Sequence, residues 1–498
     1  MQLLWALLLA SAVAHVAIGL TPDFVGAPII ANVLLALALS VTVATVAPSP
    51  ARLKRWLSAL LIGILIAALF NAFATLLQSV APNWTDDVWI ARPAASHDRA
   101  SGNLRQPNQL ATLMLWGLVA SGYLNRRRWL LGCVCSAPLL ATLLATGSRT
   151  GILSLALIVF VLLVRSDRVR TWPARRWLAL LLAALPLAWL ALSSFTRSTA
   201  QPAISQRLAL WRDSIEIISQ HPWFGVGWGQ LNFAWTLTPL PHRAPDVFDH
   251  AHNLPLHLAA ELGLPLAFLV LVVLAVSLWR ARLAMQGATG GSIALLMSIM
   301  LLHSLFEYPL WFSYFLLPTA ILLSWFLIAD ADANVLAAPA PQHGRGAEAR
   351  VRMGPLRCGL AGVALLLIGS VIYANREYQK VAAIHGATAQ PDSLTRAIER
   401  ARGSRLFGHF GDYAAIMLAG DAAVPALFAR PIRHLIDERL LSAYARMLAR
   451  TGDNQRAQFV VARAREFPPD AAFANLPPVN GVAPETSERT LNIRVFRR

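Results

Sequence analysis

Residues 246–263 read DVFDHAHNLPLHLAAELG, and residues 264–279, which follow directly, read LPLAFLVLVVLAVSLW. The first stretch holds three histidines, two aspartates and a glutamate, whereas the second is almost pure hydrocarbon. A helix that crosses a bilayer needs about 20 mostly apolar residues. This junction therefore predicts titratable side chains at the mouth of a membrane-spanning helix, and the fold depends on how many such helices the chain contains.

The composition is that of a polytopic membrane protein. Of the 498 residues, 56% are hydrophobic and only 14% are charged, whereas a soluble domain carries about a quarter charged residues. The three cysteines lie in or beside apolar segments, so we expect neither a disulfide framework nor a zinc site. We predict eleven spans, at 2–20, 27–47, 56–80, 109–124, 129–146, 150–165, 177–194, 255–279, 291–307, 310–328 and 357–374.

The basic residues predict the orientation of these spans. With the N-terminus in the cytoplasm, the short inside loops hold 17 of the 43 basic residues and the outside loops hold 8. Cytoplasmic loops of membrane proteins carry this excess of arginine and lysine. The net charge of +17 therefore reflects topology, and we expect membrane lipid and no nucleic acid as a partner.

This orientation predicts an all-α polytopic membrane helical bundle with two domains. Residues 1–374 would form the transmembrane domain, whose long loop at 194–254 faces outside, into the periplasm if this is the inner membrane of a Gram-negative cell. Residues 375–498 would form a helical tail on the same side. In the tail, LSAYARMLARTGDNQRAQFVVARAREFPP predicts a helix, a Gly-Asp turn and a second helix. Ala457, Ala464 and Pro469 follow part of the tetratricopeptide spacing, and a helical domain of no repeat class is the alternative.

His252 has the strongest case for chemistry. Asn253, which follows it, is a preferred helix N-cap, so the start of the helix would determine the direction of the imidazole. A neutral imidazole takes a proton from a hydroxyl near pH 7. We therefore predict a catalytic His252, supported by Asp249, His250 and Asn253. The alternative is a histidine that is only polar and interfacial.

Two further pairs involve these histidines. His250 and His252 form an H-x-H pair, but no third metal ligand stands at convincing spacing, so we predict neither a metal nor another cofactor. His257 and Glu261 are four residues apart and share one face of the helix, which predicts a buried structural polar pair.

Three arginines are candidate ligands of a phosphate. Arg149, in TGSRTG, occupies a short outer turn against the positive-inside rule. Arg207 and Arg212 lie on an amphipathic helix predicted for the long loop. The outer loops contain no lysine, and arginine's planar fork suits phosphate better. The alternatives are interfacial snorkelling for Arg149 and ordinary solvation for the other two.

Two more segments supply polar groups at the outer face. In HSLFEYPLWFSYF, His303 and Glu307 are four residues apart, and Pro309 ends the helix. We predict that this pair supports the same site, with structural pairing as the alternative. In NLRQPNQLA, Arg105 and its polar neighbours are further donors.

The run FGVGWGQ carries three glycines at alternate positions. No strand precedes it and no fingerprint helix follows it, which excludes a dinucleotide site. Alternate glycines predict instead a tight turn where the backbone approaches other groups closely.

Together these motifs resemble those of a known superfamily. RLALWRDSIEIISQHPWFGVGWGQ, followed by HAHNLPLHLAAELG, resembles the periplasmic loop and the next helix of bacterial O-antigen ligases and polymerases. RQPNQLA, TGSRTG, FDHAHN and HSLFEYPLWFSYFLLP are most similar to the pilin-type protein O-oligosaccharyltransferases. His252, Asn253 and Gly263 fit the ligase signature, whereas Leu266 departs from it and argues against a lipopolysaccharide ligase.

The resemblance implies an activity and its partners. Such enzymes transfer an oligosaccharide from undecaprenyl pyrophosphate to a hydroxyl in the periplasm, so the implied partners are a lipid-linked donor and a protein acceptor such as a pilin. His252 would be the general base or an acceptor-positioning group, and Arg149, Arg207 and Arg212 would hold the pyrophosphate. A negatively charged leaving group is what arginines stabilise as charge develops.

Three rival functions stay open. An O-antigen ligase or polymerase would use a glycan acceptor. A transporter or flippase would tend to show internal repeats and polar groups near mid-membrane, whereas here the polar clusters gather at one face. A non-catalytic assembly scaffold would use the tail. If the chain is instead a transferase, we expect the tail to dock the protein acceptor and to contribute little to donor chemistry.

Overall fold

The computed structural model describes residues 2–46, 50–86, 89–93, 99–165, 203–240, 243–244, 247–280, 287–336, 353–386, 391–434 and 436–467. Over these ranges the chain forms 18 α-helices, joined by turns and short 3₁₀ segments, and no strand. The predicted all-α class is thereby confirmed. The predicted span at 177–194 lies outside the described residues.

The helices follow one another in two series, before and after the start of the long loop. The first series is α1 (Gln2–Ala17), α2 (Asp23–Val46), α3 (Pro50–Val80), α4 (Pro107–Leu124), α5 (Trp129–Ala145) and α6 (Arg149–Arg165). The second series is α7 (Ala203–Gln220), α8 (Leu231–Leu237), α9 (Leu254–Leu262), α10 (Leu264–Arg280), α11 (Gly287–Ser304), α12 (Ser313–Leu336), α13 (Met353–Gly386), α14 (Pro391–Arg402), α15 (Gly408–Ala419), α16 (Pro425–Phe428), α17 (Glu438–Arg450) and α18 (Asn454–Ala464).

Two helices of the described chain are long and apolar enough to cross a membrane, by length and composition. They are the segments Asp23–Ala44 of α2 and Leu53–Val80 of α3. Shorter apolar helices occupy Gln2–Ala17, Trp129–Ala145, Arg149–Phe160, Leu264–Arg280, Ala288–Ser304 and Ser313–Trp325. These segments coincide with predicted spans, and the count of eleven stays a prediction.

The predicted span at 255–279 is wrong as a single helix. Gly263 separates α9 from α10 and has a φ of +82°, a conformation that glycine adopts readily and other residues avoid. A Cβ atom at this position would lie 2.3 Å from the carbonyl oxygen of Trp223, so no other residue fits without a shift. Helix α9, which carries His257, is therefore a separate short helix that precedes the apolar helix α10.

Helix α4 lies at the centre of the first of two compact units, which comprises residues 39–200 and 274–351. Most of its side chains are buried, as is typical of a helix that is apolar on every face. Gly117 brings it close to α3, since a Cβ atom there would lie 2.6 Å from that of Ala68. Trp116 donates its Nε1–H to the Leu296 carbonyl of α11 at 3.1 Å. Helix α4 therefore packs against both α3 and α11.

The second unit comprises residues 2–38, 201–273 and 352–498, so it contains the long loop from residue 201 onward and the tail. Arg433 of the tail donates from Nε to the Gln230 side chain at 2.8 Å and from Nη2 to the Leu20 carbonyl at 2.9 Å. Asn232 accepts the backbone N–H of Ile436 at 2.8 Å. The tail thus packs directly on the long loop and on the turn after α1, while the predicted domain boundary at residue 374 stays a prediction.

The end of the tail forms the predicted helical hairpin. Helices α17 and α18 are joined by a turn in which Gly452 has a φ of +83° and Asp453 caps α18 by accepting the N–H of Arg456 at 3.1 Å. Ala457 and Ala464 are buried, and α18 packs against α17. The helix, Gly-Asp turn and helix are confirmed, whereas Pro469 lies outside the described residues.

Candidate active site

The backbone at His252 is held in an uncommon conformation. His252 has a φ of +47°, in the left-handed region that L-residues seldom adopt, and strain of this kind clusters at functional sites. Among the described non-glycine residues only Arg105 shares a positive φ. Asn253 caps α9 as predicted, accepting the N–H of Leu256 at 3.1 Å. The strained residue thus stands immediately before a capped helix start.

Aromatic and acidic neighbours surround His252 within residues 247–253, which we call the histidine loop. The carboxylate of Asp249 accepts from Nδ1 of His250. The rings of His250 and His252 lie 4.1 Å apart between centroids, and Phe248 meets His252 edge-on at 5.8 Å. Burial raises the pKa of Asp249, but the hydrogen bond and charge of His250 outweigh it and leave the pKa below its ordinary value. Asp249 therefore stays ionised and orients His250.

Residues 225–229, the triple-glycine loop, bond directly to α9. Val226 donates its N–H to the Ala260 carbonyl at 2.9 Å, and Gly227 donates to the Glu261 carbonyl at 3.0 Å. A Cβ atom at Gly225 would lie 2.4 Å from the backbone of Glu261. The predicted tight turn with close backbone approach is confirmed, and its partner is the helix that follows the histidine loop.

Glu261 and His257 form the predicted buried pair. Glu261 Oε2 lies 3.5 Å from His257 Nε2, and both side chains are almost fully buried. The same carboxylate accepts the backbone N–H of Gly229 at 2.9 Å and that of Leu231 at 3.2 Å. Burial lowers the pKa of His257 to about 3, so this imidazole is neutral. Burial raises the pKa of Glu261 to about 8, although hydrogen bonds from the triple-glycine loop and residues 230 and 231 oppose the rise.

Helix α7 carries two of the predicted arginines and packs on the histidine loop. Trp211 donates its Nε1–H to the Ala251 carbonyl at 3.1 Å. On either side of it in sequence, Arg207 is half-buried and Arg212 is exposed. Five residues along a helix turn the side-chain direction by about 140°. The helix therefore presents the two guanidinium groups on different faces.

Asp213 is a buried residue of α7 that bonds to two other segments of the long loop, and we did not predict it from the sequence. It is 3% exposed, and its carboxylate accepts from Trp235 Nε1 at 2.9 Å and from the Ala244 N–H at 3.0 Å. A signal was present in the sequence, because Asp213 falls on the same helical stripe as the apolar Leu210 and Ile217. A carboxylate on such a stripe has to find buried donors.

In the first unit, Asn108 is the centre of a polar cluster. Its Nδ2 donates to Glu307 at 2.9 Å, and its Oδ1 accepts from Ser148 at 2.8 Å and from Arg99 at 3.1 Å. Arg99 also donates to the Thr146 carbonyl at 2.7 Å. Arg99 and Ser148 were not predicted, because nothing in their local sequence points to a residue on another helix.

The predicted residues His303 and Glu307 both bond to α4 in this unit. His303 is completely buried, and its Nδ1 lies 2.8 Å from the hydroxyl of Thr112. Glu307 receives the bond from Asn108. Helix α11 ends at Ser304, so His303 lies in its last turn and Glu307 lies beyond its end. The helix therefore ends five residues before Pro309.

Arg105 and Arg149 are exposed residues of the first unit at the starts of helices. Arg105 precedes α4 with a φ of +54°, and the Gln106 side chain caps α4 by accepting the Gln109 N–H at 2.6 Å. Arg149 begins α6. Helix N-termini favour anions, so both arginines lie where an anion would be favoured. Their predicted roles at the site stay predictions.

Three family models match separate stretches of the chain. The O-antigen ligase model matches residues 131–271. The model described as virulence factor membrane-bound polymerase, C-terminal, matches residues 292–479. The protein glycosylation ligase model matches residues 100–124. The first of these stretches holds the histidine loop and helix α7, and the third holds Arg105 and Asn108.

Curated relatives agree with the family models. The chain is 26% identical over 263 residues to a general O-oligosaccharyltransferase of Acinetobacter baylyi, covering 48% of this chain and 46% of the relative. It is 25% identical over 242 residues to a ComP-specific O-oligosaccharyltransferase of the same species, covering 46% and 44%. It is 30% identical over 194 residues to an O-antigen ligase of Pseudomonas aeruginosa, covering 36% and 41%. The matches thus span less than half the length of each relative.

Proposed function

We propose that this chain, which belongs to the O-antigen ligase superfamily, transfers an oligosaccharide en bloc from undecaprenyl pyrophosphate to a serine or threonine hydroxyl of a periplasmic protein such as a pilin. The single observation that carries the proposal is the strained, capped placement of His252 within the stretch that matches the O-antigen ligase model. Two relatives named as O-oligosaccharyltransferases favour a protein acceptor.

In this reaction His252 acts as the general base. The acceptor oxygen attacks the anomeric carbon of the first sugar and forms the new glycosidic bond. The bond from that carbon to the pyrophosphate oxygen breaks, and its electron pair leaves with undecaprenyl pyrophosphate. The proton of the hydroxyl passes to His252, which is a role suited to an imidazole near neutral pH. The step consumes neither metal nor organic cofactor.

The arginines stabilise the leaving group in this proposal. Arg149, Arg207 and Arg212 would neutralise the pyrophosphate as its charge develops. Asp249, His250 and Asn253 would orient the base, and Arg105, His303 and Glu307 would shape the surrounding polar surface. Support comes from the exposure of Arg149 and Arg212, which leaves these two guanidinium groups accessible from solvent.

We place the reaction at the outer face of the bacterial inner membrane. The apolar helices supply the membrane domain, and the eighth span is shortened to α10. The basic loops would be cytoplasmic, so the histidine loop and the tail would both be periplasmic. A lipid-borne donor and a water-borne acceptor would then meet at one surface.

Reporter fusions test this topology. Alkaline phosphatase joined after residue 230 or after residue 400 should be active in both cases, because both points should be periplasmic. A fusion after residue 127, in a predicted cytoplasmic loop, is the matched inactive control. Opposite activities for the first two fusions would contradict the arrangement of spans between them.

Purified protein in lipid nanodiscs tests the activity itself. Mixed with lipid-linked oligosaccharide and a pilin-type acceptor, without ATP, it should yield glycosylated acceptor detected by intact mass. Transfer to a glycan instead would favour the second candidate, an O-antigen ligase or polymerase, to which the Pseudomonas relative points. Movement of the donor lipid across the bilayer without any transfer would support the flippase alternative.

Substrate titrations test the arginine roles. Arg149→Ala and Arg207→Ala should each raise the KM for the lipid donor at least about tenfold, because a lost charge-assisted bond costs about 1.5–3 kcal/mol. The KM for the acceptor should change little. Arg126→Ala is the control, since Arg126 bonds only locally to the Tyr123 carbonyl at 3.0 Å, at the end of α4. Equal rises in both KM values would contradict donor binding.

A further inference from the structure

A chain of polar contacts connects the triple-glycine loop to the histidine loop through α9. It begins at the Gly229 N–H, which donates to Glu261 at 2.9 Å. It passes from Glu261 to His257, at 3.5 Å between Oε2 and Nε2. It ends where the backbone N–H of Ala251 donates to His257 Nδ1 at 3.4 Å. Ala251 is the residue between His250 and His252, and it is completely buried.

These contacts require one tautomer of His257. A neutral imidazole has one N–H and one lone pair, and the hydrogen bond at one nitrogen decides which nitrogen carries the proton. Ala251 offers only a donor, so Nδ1 has to accept and the proton has to be on Nε2. The nearest carboxylate oxygen is Glu261 Oε2, 3.5 Å from Nε2, and it already accepts the Gly229 N–H. The peptide of Ala251 thus selects this tautomer, and Glu261 places an oxygen beside the nitrogen that carries the proton.

We propose that Glu261 is a positioning residue for the transfer reaction, which acts by holding His257 in the tautomer that anchors the peptide between His250 and His252. The inference rests on the proposed function, since it assigns a role in that reaction. Neither side chain need touch substrate, because both are almost fully buried. The anchored peptide matters because the next residue, His252, has a φ of +47° and needs its neighbours to hold it.

Glutamine and methionine at position 261 together test the role. Glutamine can keep an oxygen in the place of Oε2, where it accepts the Gly229 N–H and faces His257, while its amide nitrogen faces the Leu231 N–H. The reverse orientation would leave more buried donors without an acceptor, so glutamine should retain the tautomer of His257. Methionine fills the space without either oxygen, so it no longer favours the Nε2–H tautomer.

In nanodiscs, Glu261→Met should lower kcat about tenfold to a hundredfold, the effect of misplacing a reacting group by about 1 Å, whereas Glu261→Gln should keep most of the activity. The KM for the lipid donor should stay unchanged in both variants. The ¹⁵N spectrum of histidine-labelled protein should show loss of the Nε2–H tautomer at His257 in Glu261→Met. Glu216→Met is the control, because Glu216 is exposed on α7 and bonds to Gln220. A wild-type kcat in Glu261→Met would overturn the proposal.

A second pair of variants keeps the test decisive if Glu261→Met fails to fold. His257→Asn retains an oxygen that can accept the Ala251 N–H, whereas His257→Phe fills the space without an acceptor. The asparagine variant should retain at least about tenfold more activity than the phenylalanine variant. In the His257→Asn background, Glu261→Met should have a smaller effect than in the wild type, because the tautomer no longer matters.

Equal activities of the two His257 variants, or additive effects of the double variant, would overturn the positioning role. Failure of the proposed function gives a different result. In that case the wild-type protein transfers no glycan to any acceptor, whereas failure of the present inference leaves an active wild type and an equally active Glu261→Met variant.

Discussion

Replacing His252 by alanine should abolish glycan transfer, with a loss of about a hundredfold to ten-thousandfold in kcat, the usual contribution of general acid–base catalysis. Expression and the level of the donor lipid should not change. The measurement is intact-mass quantification of glycosylated acceptor in cells and with purified protein. His221→Ala provides the control, because His221 lies just beyond the end of α7, outside the histidine loop.

The left-handed backbone at this position allows chemistry and conformation to be separated. Alanine is strained at a φ of +47°, whereas asparagine tolerates this region much better. His252→Asn should therefore fold as well as the wild type and still be inactive, because an amide does not take up the proton. An active His252→Asn variant would show that the residue supplies backbone shape, and it would refute the general-base assignment.

The second large effect is expected from the tail. A chain that ends after Gln390 lacks Arg433 and Ile436, which bond to the long loop at Gln230 and Asn232. Asn232 also donates to the Phe248 carbonyl of the histidine loop at 2.9 Å. We therefore expect the shortened protein to lose transfer both to a folded acceptor and to a short peptide. Retained peptide transfer would instead favour a tail that only docks the acceptor.

A point substitution gives the same test without removing a domain. Arg433→Ala deletes the bonds to Gln230 and Leu20, and it leaves buried acceptors unpaired at a cost of about 1–3 kcal/mol each. Thermal unfolding should occur at a lower temperature and transfer should fall with both acceptors. Arg446→Ala, which breaks only the exposed ion pair with Asp421, should cost no more than about 1 kcal/mol. Equal unfolding temperatures for the two variants would contradict the structural role of Arg433.

Electrostatics also connect the tail to the histidine loop. Burial lowers the pKa of His434, and the negative charge of Asp249 opposes that shift. His434 also packs on His409, with ring centroids 3.9 Å apart, and both rings contact Phe24 of α2. The histidine loop is therefore supported from the tail as well as from α7 and α9.

Local features of this protein could be predicted from the amino-acid sequence. The helical class, the Asn253 cap, the His257–Glu261 pair and the tail hairpin all depend on residues within a few positions of one another. Such features follow from helical spacing and capping preferences, which act over one or two turns. The motifs around His252 likewise predicted the superfamily, because the order of residues in a motif is visible in the sequence itself.

The tertiary structure decided the features that join distant parts of the chain. The left-handed backbone at His252, the break at Gly263 and the donors that Asp213 receives depend on packing against other elements. Asn108 meets a glutamate 199 positions away, and Gln230 meets an arginine 203 positions away. Many partners could satisfy each of these polar groups in an unfolded chain, and only the packed fold selects one, because burial makes an unpaired polar group costly.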